Sequence, residues 1–244
     1  MKRDVEQPSV ARPKVLGIYQ GWAVVLVVMV ALAVANGGRF MFGVVLKPVS
    51  EEFGWGRAEL ALGVTISVIA MSCLQPLVGV LVDKYGSRPV LIAGVALVGL
   101  TMIPMTLVTE LWQVYVFYGL FAAIAFAATS PVNTTALVNG WFEKRRGLAL
   151  SMATSGSAYG QLLVVPIVTA IMLGWGWRVS YLAVSAVLFL VILPLAVLVV
   201  RDSPARRAAI ADKRIKGRPS EPKVSIGQAL RTAAYWQLSF GMFV

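Results

Sequence analysis

The sequence predicts an all-α integral membrane protein, a bundle of six transmembrane helices followed by the opening of a seventh. Three observations predict it. Long apolar stretches alternate with short polar connections, each stretch near or above the roughly 20 residues a helix needs to cross a bilayer core. Hydrocarbon offers no water to backbone N–H and C=O groups, so such stretches close their hydrogen bonds internally as helices. Positive charge gathers on every second connection, and carboxylates are confined to the ends of the stretches or the connections between them.

The elements follow in order. Residues 1–16 form a polar tail carrying Lys2, Arg3, Arg12 and Lys14. Residues 17–200 hold the six spans: Gly17–Leu46, Leu60–Val82, Val90–Val108, Trp112–Asn139, Leu148–Leu173 and Tyr181–Val200. The first apolar run is too long for a signal-peptide core and reads as a retained anchor. Cys73, the lone cysteine, falls inside the second span and is expected to pack as a small apolar residue. Residues 201–233 are a basic linker, either a plain tether or one holding a short surface helix around Ala205–Ile215. At 234–244 a seventh span begins, with Tyr235 and Trp236 suited to a membrane interface, and the chain stops inside it.

Charge sets the orientation. The tail, the connection with Lys84 and Arg88, the connection with Lys144, Arg145 and Arg146, and the linker hold nearly all the cations. The opposite connections carry only Lys47, Arg57 and Arg178. Lys and Arg on short connections mark the cytoplasmic face. The amino terminus and the linker are therefore expected in the cytoplasm, with the bundle in a plasma or inner membrane. The net charge of +11 belongs to these membrane-flanking segments, where anionic lipid attracts it, and nucleic acid is not an expected partner.

The chain contains no histidine, which removes Ser–His and Cys–His nucleophilic pairs. No two carboxylates share a span, no phosphate-cradling Gly-Lys-Ser/Thr loop is present, and no cofactor or metal is expected. Enzymatic chemistry is thereby disfavoured, leaving transport or conduction.

Two motifs carry more. The connection after span two reads Gly79-Val80-Leu81-Val82-Asp83-Lys84-Tyr85-Gly86-Ser87-Arg88-Pro89. Gly79 admits a close neighbour, Gly86 permits a tight turn, Asp83 can accept from a helix amino end or a cation, and Arg88 anchors the turn at the headgroups. The second motif is Gly140-Trp141-Phe142-Glu143-Lys144-Arg145-Arg146-Gly147, leading into a helix in which Gly156 and Gly160 share one face for close packing.

The first motif resembles the loop signature G-x-L-x-D-x-x-G-x-R of the major facilitator superfamily, with Ser87 where many members carry a second basic residue. The second, together with Gly-Ser-Arg-Pro at 86–89, Gly176-Trp177-Arg178, Gly21-Trp22 and Glu52-Phe53-Gly54-Trp55, is similar to its monocarboxylate and oxalate–formate antiporter branch. The resemblance implies twelve helices in two six-helix bundles, each of two inverted three-helix repeats, around a central cavity. This chain then supplies the amino-terminal bundle and lacks the carboxy-terminal one. Spans one and four would line the cavity, and the loop carrying Asp83 would help hold one gating state. In monocarboxylate carriers, the resemblance implies that an Asp and an Arg on the eighth helix couple transport to protons, and that helix lies past Val244.

Substrate contacts are expected from two places. Arg39 is followed by a largely apolar run to Leu46, which puts it about 10 Å from the end of span one. A charge inside a bundle usually faces a cavity, and a guanidinium suits a carboxylate. The alternative is snorkelling to the interface. Asn36 shares its face, as does Gly43. Along span four, Tyr115, Tyr118, Ala122, Phe126, Thr129 and Asn133 recur at helical spacing, either as a cavity wall or as contacts between helices. The expected function is secondary-active, alternating-access transport of a small organic anion such as a monocarboxylate. The alternatives are export of drugs or neutral solutes on the same scaffold, or a half-size six-helix channel or sensor working as a homodimer.

Overall fold

The computed structural model describes residues 14–15, 18–142 and 145–201. The chain divides into two compact units, Met1–Arg206 and Arg207–Val244, and everything described lies in the first. The expected surface helix around Ala205–Ile215, the rest of the linker and the start of the seventh span fall outside the described residues, as does most of the tail. Two short strands, β1 (Lys14–Val15) and β2 (Ile18–Tyr19), pair antiparallel ahead of the first helix. Six helices long and apolar enough to cross a membrane follow: α1 (Gln20–Phe53), α2 (Arg57–Tyr85), α3 (Ser87–Met105), α4 (Leu111–Asn139), α5 (Arg146–Trp175) and α6 (Trp177–Val199).

The core of every expected span is helical, and the differences lie at the ends. Helix α1 outruns its apolar stretch by seven residues. Lys47, Ser50, Glu51 and Glu52 continue it, with Lys47 lying 3.9 Å from Glu51 one turn on. Gly54 then stops it with φ +72° and an N–H donated to Ser50 O at 3.0 Å, a left-handed cap open to glycine. At 34 residues α1 is about 51 Å long, well beyond the about 30 Å of a hydrocarbon core. Arg39 consequently sits near the middle of α1, about 21 Å from its end rather than the 10 Å expected from the apolar run alone.

Three helices are not regular throughout. Widened π-helical turns occur at Tyr115–Phe121 in α4, Gly160–Val164 in α5 and Leu188–Ile192 in α6. In α5 and α6 the cause lies two residues downstream, at Pro166 and Pro194. Proline lacks the N–H and crowds the preceding turn, so the backbone widens there. No proline follows the π turn of α4, but that helix breaks further on, at Thr129–Ser130 before Pro131.

Helix association in lipid has little hydrophobic drive and relies on close packing and interhelical hydrogen bonds. The contacts obey this. Helix α1 lies against α5, α2 and α3 against α4, and α3 against α6. Exchanging α1–α3 with α4–α6 maps the α1–α5 contact onto the α4–α2 contact and leaves the α3–α6 contact unchanged, as two inverted three-helix repeats require. Glycines mark the closest approaches. A β-carbon on Gly156 would land on Met29 O, and one on Gly160 on Ala33 O. On α3, a β-carbon on Gly94 would lie 2.8 Å from Ala128 of α4, and one on Gly99 2.8 Å from the Phe189 ring of α6. Ser185 adds a hydrogen bond to Gly99 O at 2.9 Å.

Burial is uneven. In the most apolar stretch of α1, 61% of residues are buried, against 11% for α2 and 17% for α5. Helix α1 is thus the centre of the bundle, while α2 and α5 present broad open apolar faces. Cys73, expected to pack, is exposed on α2.

Candidate functional site

The bundle has a basic end, where α2 meets α3 and α4 meets α5, and a far end, where α1 meets α2 and α5 meets α6. Between them, Met29, Ala33, Asn36 and Phe40 recur at helical spacing on α1 and form a strip that is half-buried to exposed. Arg39 adjoins this strip. It is half-buried, its guanidinium stands 5.8 Å from the Phe40 ring centre, and it has no ion pair with any described carboxylate. Gly43, one turn on, has open space where a side chain would stand. Asn36 donates its Nδ2 to Leu32 O of its own helix at 3.0 Å. The structure therefore brings Arg39, Asn36 and Gly43 together on one partly open surface.

The span-four residues are placed differently. Tyr118 is buried; its ring stacks on Phe42 at 4.1 Å and its hydroxyl donates to Arg39 O at 2.8 Å. Tyr115 reaches α2, donating to Glu59 O at 3.0 Å. Ala122 and Phe126 are buried, as is Thr129, which donates back to Ala125 O at 3.1 Å. Asn133 is fully buried and fills the break in α4 by donating to Ala128 O at 2.9 Å, while its Oδ1 has no partner among the described residues. Gln75 of α2 accepts from Ser130 at this break, at 3.3 Å. Tyr115 and Tyr118 tie α4 to α2 and α1, Tyr118 fixing the backbone that bears Arg39, while Thr129 and Asn133 bond within α4.

At the basic end, Gly86 takes φ 110°, a conformation that favours glycine, and turns the chain between α2 and α3. Gly79 faces open space on α2, and Asp83 is exposed, with no hydrogen bond or ion pair to a described residue. Arg88, expected at the headgroups, donates to Val197 O in the last turn of α6, at 3.0 Å, where unpaired carbonyls favour a cation. The second motif meets the start of α1, the chain just after α6 and the end of α4. Trp22 meets Phe142 edge to face at 5.0 Å, Trp141 Nε1 donates to Arg201 O at 3.2 Å, and Arg146 donates to Asn139 at 2.6 Å.

Sequence reading missed one cluster at the far end. Arg178 pairs with Glu52 at 2.7 Å and donates to Thr106 O at 3.2 Å; Trp177 Nε1 also donates to Glu52, at 2.7 Å. The guanidinium lies over the Trp177 ring at 4.3 Å, and Phe53 stacks on Trp55 at 4.4 Å beside it. The motifs Glu52-Phe53-Gly54-Trp55 and Gly176-Trp177-Arg178, separately legible, thus meet and tie the ends of α1, α3 and α6. The sequence offered only a partial signal, opposite charges on two connections assigned to the same side, without saying that they meet. Among the described residues, no three His, Cys, Asp or Glu side chains converge as metal ligands would.

With this geometry in hand, comparison with known proteins places the chain. Residues 28–244 match the family model of the Major Facilitator Superfamily, and the chain belongs to that family. It is similar to the uncharacterized MFS-type transporter YcxA of Bacillus subtilis, at 26% identity over 79% of this chain and 47% of that protein. Monocarboxylate transporter 1 of Bos taurus is 29% identical over 69% of this chain and 33% of that protein. The oxalate:formate antiporter of Oxalobacter formigenes is 23% identical over 91% and 51%. The chain spans about half the length of these relatives or less.

Proposed function

We propose that this chain forms the amino-terminal half of a secondary-active carrier for a small organic anion of the monocarboxylate type. It acts by alternating access in a plasma or inner membrane, with its amino terminus in the cytoplasm. A second six-helix bundle covers the open faces of α2 and α5, and the solute passes between the two bundles. The observation that carries this reading is Arg39, a cation at mid-helix on a partly open strip with no acidic partner among the described residues. Such a charge is costly in hydrocarbon and calls for water or an anion. Similarity to the monocarboxylate transporter and the oxalate:formate antiporter supports the choice of anion.

In this reading Arg39 receives the carboxylate through its paired donors, with Asn36 beside it and Gly43 leaving room. Tyr118, Tyr115, Thr129 and Asn133 shape the wall and hold α4 in place. The loop of Gly79, Asp83, Gly86 and Arg88 serves as a gate: the carboxylate of Asp83, without a partner among the described residues, meets the second bundle in one state and releases it in the other. The test is uptake of labelled monocarboxylates by the full-length protein in proteoliposomes. Arg39→Gln is expected to lower affinity about 10- to 100-fold, as for loss of a charge-assisted pair, and Arg39→Lys to retain part of it. Undiminished uptake by Arg39→Gln would overturn the assignment, and uptake of neutral or cationic solutes alone would favour drug or neutral-solute export.

A further inference from the structure

A groove of about 350 Å³ runs along the seam between α1 and α5. Met29, Ala33 and Val34 line it from α1, and Tyr159, Leu163 and Val164 from α5. Its volume lies in the range of small-ligand pockets. The groove exists because of the glycine contacts beneath it. Gly156 and Gly160 bring the α5 backbone onto Met29 O and Ala33 O, so the larger side chains of both helices wall the seam instead of filling it. Tyr159 and Leu163 are exposed along its edge.

The groove is continuous with the strip that leads to Arg39. Met29 and Ala33 belong to both, and Asn36 follows Ala33 by one turn on the same face. Ala33 and Arg39 are about 9 Å apart along the helix axis and about 120° apart around it, at opposite edges of the open face of α1, with Asn36 between them. The Arg39 guanidinium, unpaired among the described residues, would be left without a partner if this whole face met lipid tails. The face instead presents a cation at one end and an apolar trough at the other.

We infer that the solute is an amphipathic carboxylate, its charged end at Arg39 and Asn36 and its hydrocarbon part in the α1–α5 groove. This deepens the proposed function and rests on it. The polar end sets charge selectivity, and the groove sets the preference for chain length, which distinguishes the solute from the smallest monocarboxylates.

The experiment measures dissociation constants of acetate, butyrate, hexanoate and octanoate on the full-length protein in nanodiscs, with hexanol as the uncharged control. Affinity is expected to rise about two- to four-fold per methylene until the groove is filled, with hexanol binding far more weakly than hexanoate. Ala33→Trp, which fills the groove, is expected to flatten that slope. Leu163→Ala, which widens it, is expected to move the optimum to longer chains, and it serves should the bulky variant fail to fold. Carboxylate binding independent of chain length would overturn the inference while leaving the carrier reading standing. A slope insensitive to both variants would also overturn it, because the groove would then hold a lipid chain or another helix. Failure of every carboxylate to bind would instead overturn the anion reading on which it rests.

Discussion

Glycine has four different jobs in this chain, and the sequence alone does not tell them apart. Gly156 and Gly160 sit where the α5 backbone meets carbonyls of α1, so a side chain there has nowhere to go. Gly156→Val should push the helices apart and cost about 3 kcal/mol or more, seen as a lower melting temperature in detergent. Gly86 is required for its backbone angle, and Gly86→Ala should cost about 1–2 kcal/mol at the α2–α3 turn. Gly79, in the same signature, meets open space, so Gly79→Ala should leave the melting temperature of this bundle unchanged. If Gly79→Ala lowers uptake in the intact protein without lowering stability, its close neighbour lies in the second bundle. At mid-bundle Gly43 leaves space open beside Arg39. Motif reading located Gly79, Gly86, Gly156 and Gly160, but only the packing separates contact, turn and open surface.

Among the helices, what was legible followed from hydropathy and what was not followed from exceptions to it. Six apolar runs predicted six helices, and each formed. Polar ends escaped: α1 runs on to Phe53 beyond its apolar stretch, and α6 opens at Trp177, ahead of Tyr181. The π turns of α5 and α6 are readable in principle from Pro166 and Pro194, but that of α4 has no such marker. The far-end cluster was missed for a different reason: Glu52 and Arg178 are far apart in sequence, and only the fold joins them. Their coupling is open to a double-mutant cycle. Glu52→Gln and Arg178→Gln should each loosen the far end, with a coupling of about 1 kcal/mol in thermal melts, since the pair is partly exposed. Additive effects would mean that Trp177 and Thr106, rather than the ion pair, hold the three helix ends.

For the whole molecule, the uneven burial of the helices is the main clue. A bundle with a packed α1 and bare α2 and α5 faces is half of a larger arrangement in this account. Cys73 reports on it, since it is exposed on α2 and is the only cysteine in the sequence. A maleimide should modify it readily in the 1–244 chain and much more slowly when the second bundle is present. Equal rates would place that face of α2 in lipid or water instead. The motifs made the family readable, and the charge asymmetry supports the proposed orientation. Of the proposed site, Arg39 is legible by its charge, whereas the groove between α1 and α5 is made of ordinary apolar residues.

The most direct measurement of the central claim is the two-sided accessibility of position 39 in the intact protein. Arg39→Cys in a Cys73→Ser background would be treated with a charged, membrane-impermeant thiol reagent from either face of sealed vesicles. An alternating-access pathway past α1 predicts reaction from both faces. No reaction from either face would contradict the account, placing the residue against lipid or in the packed interior rather than on the path of the solute.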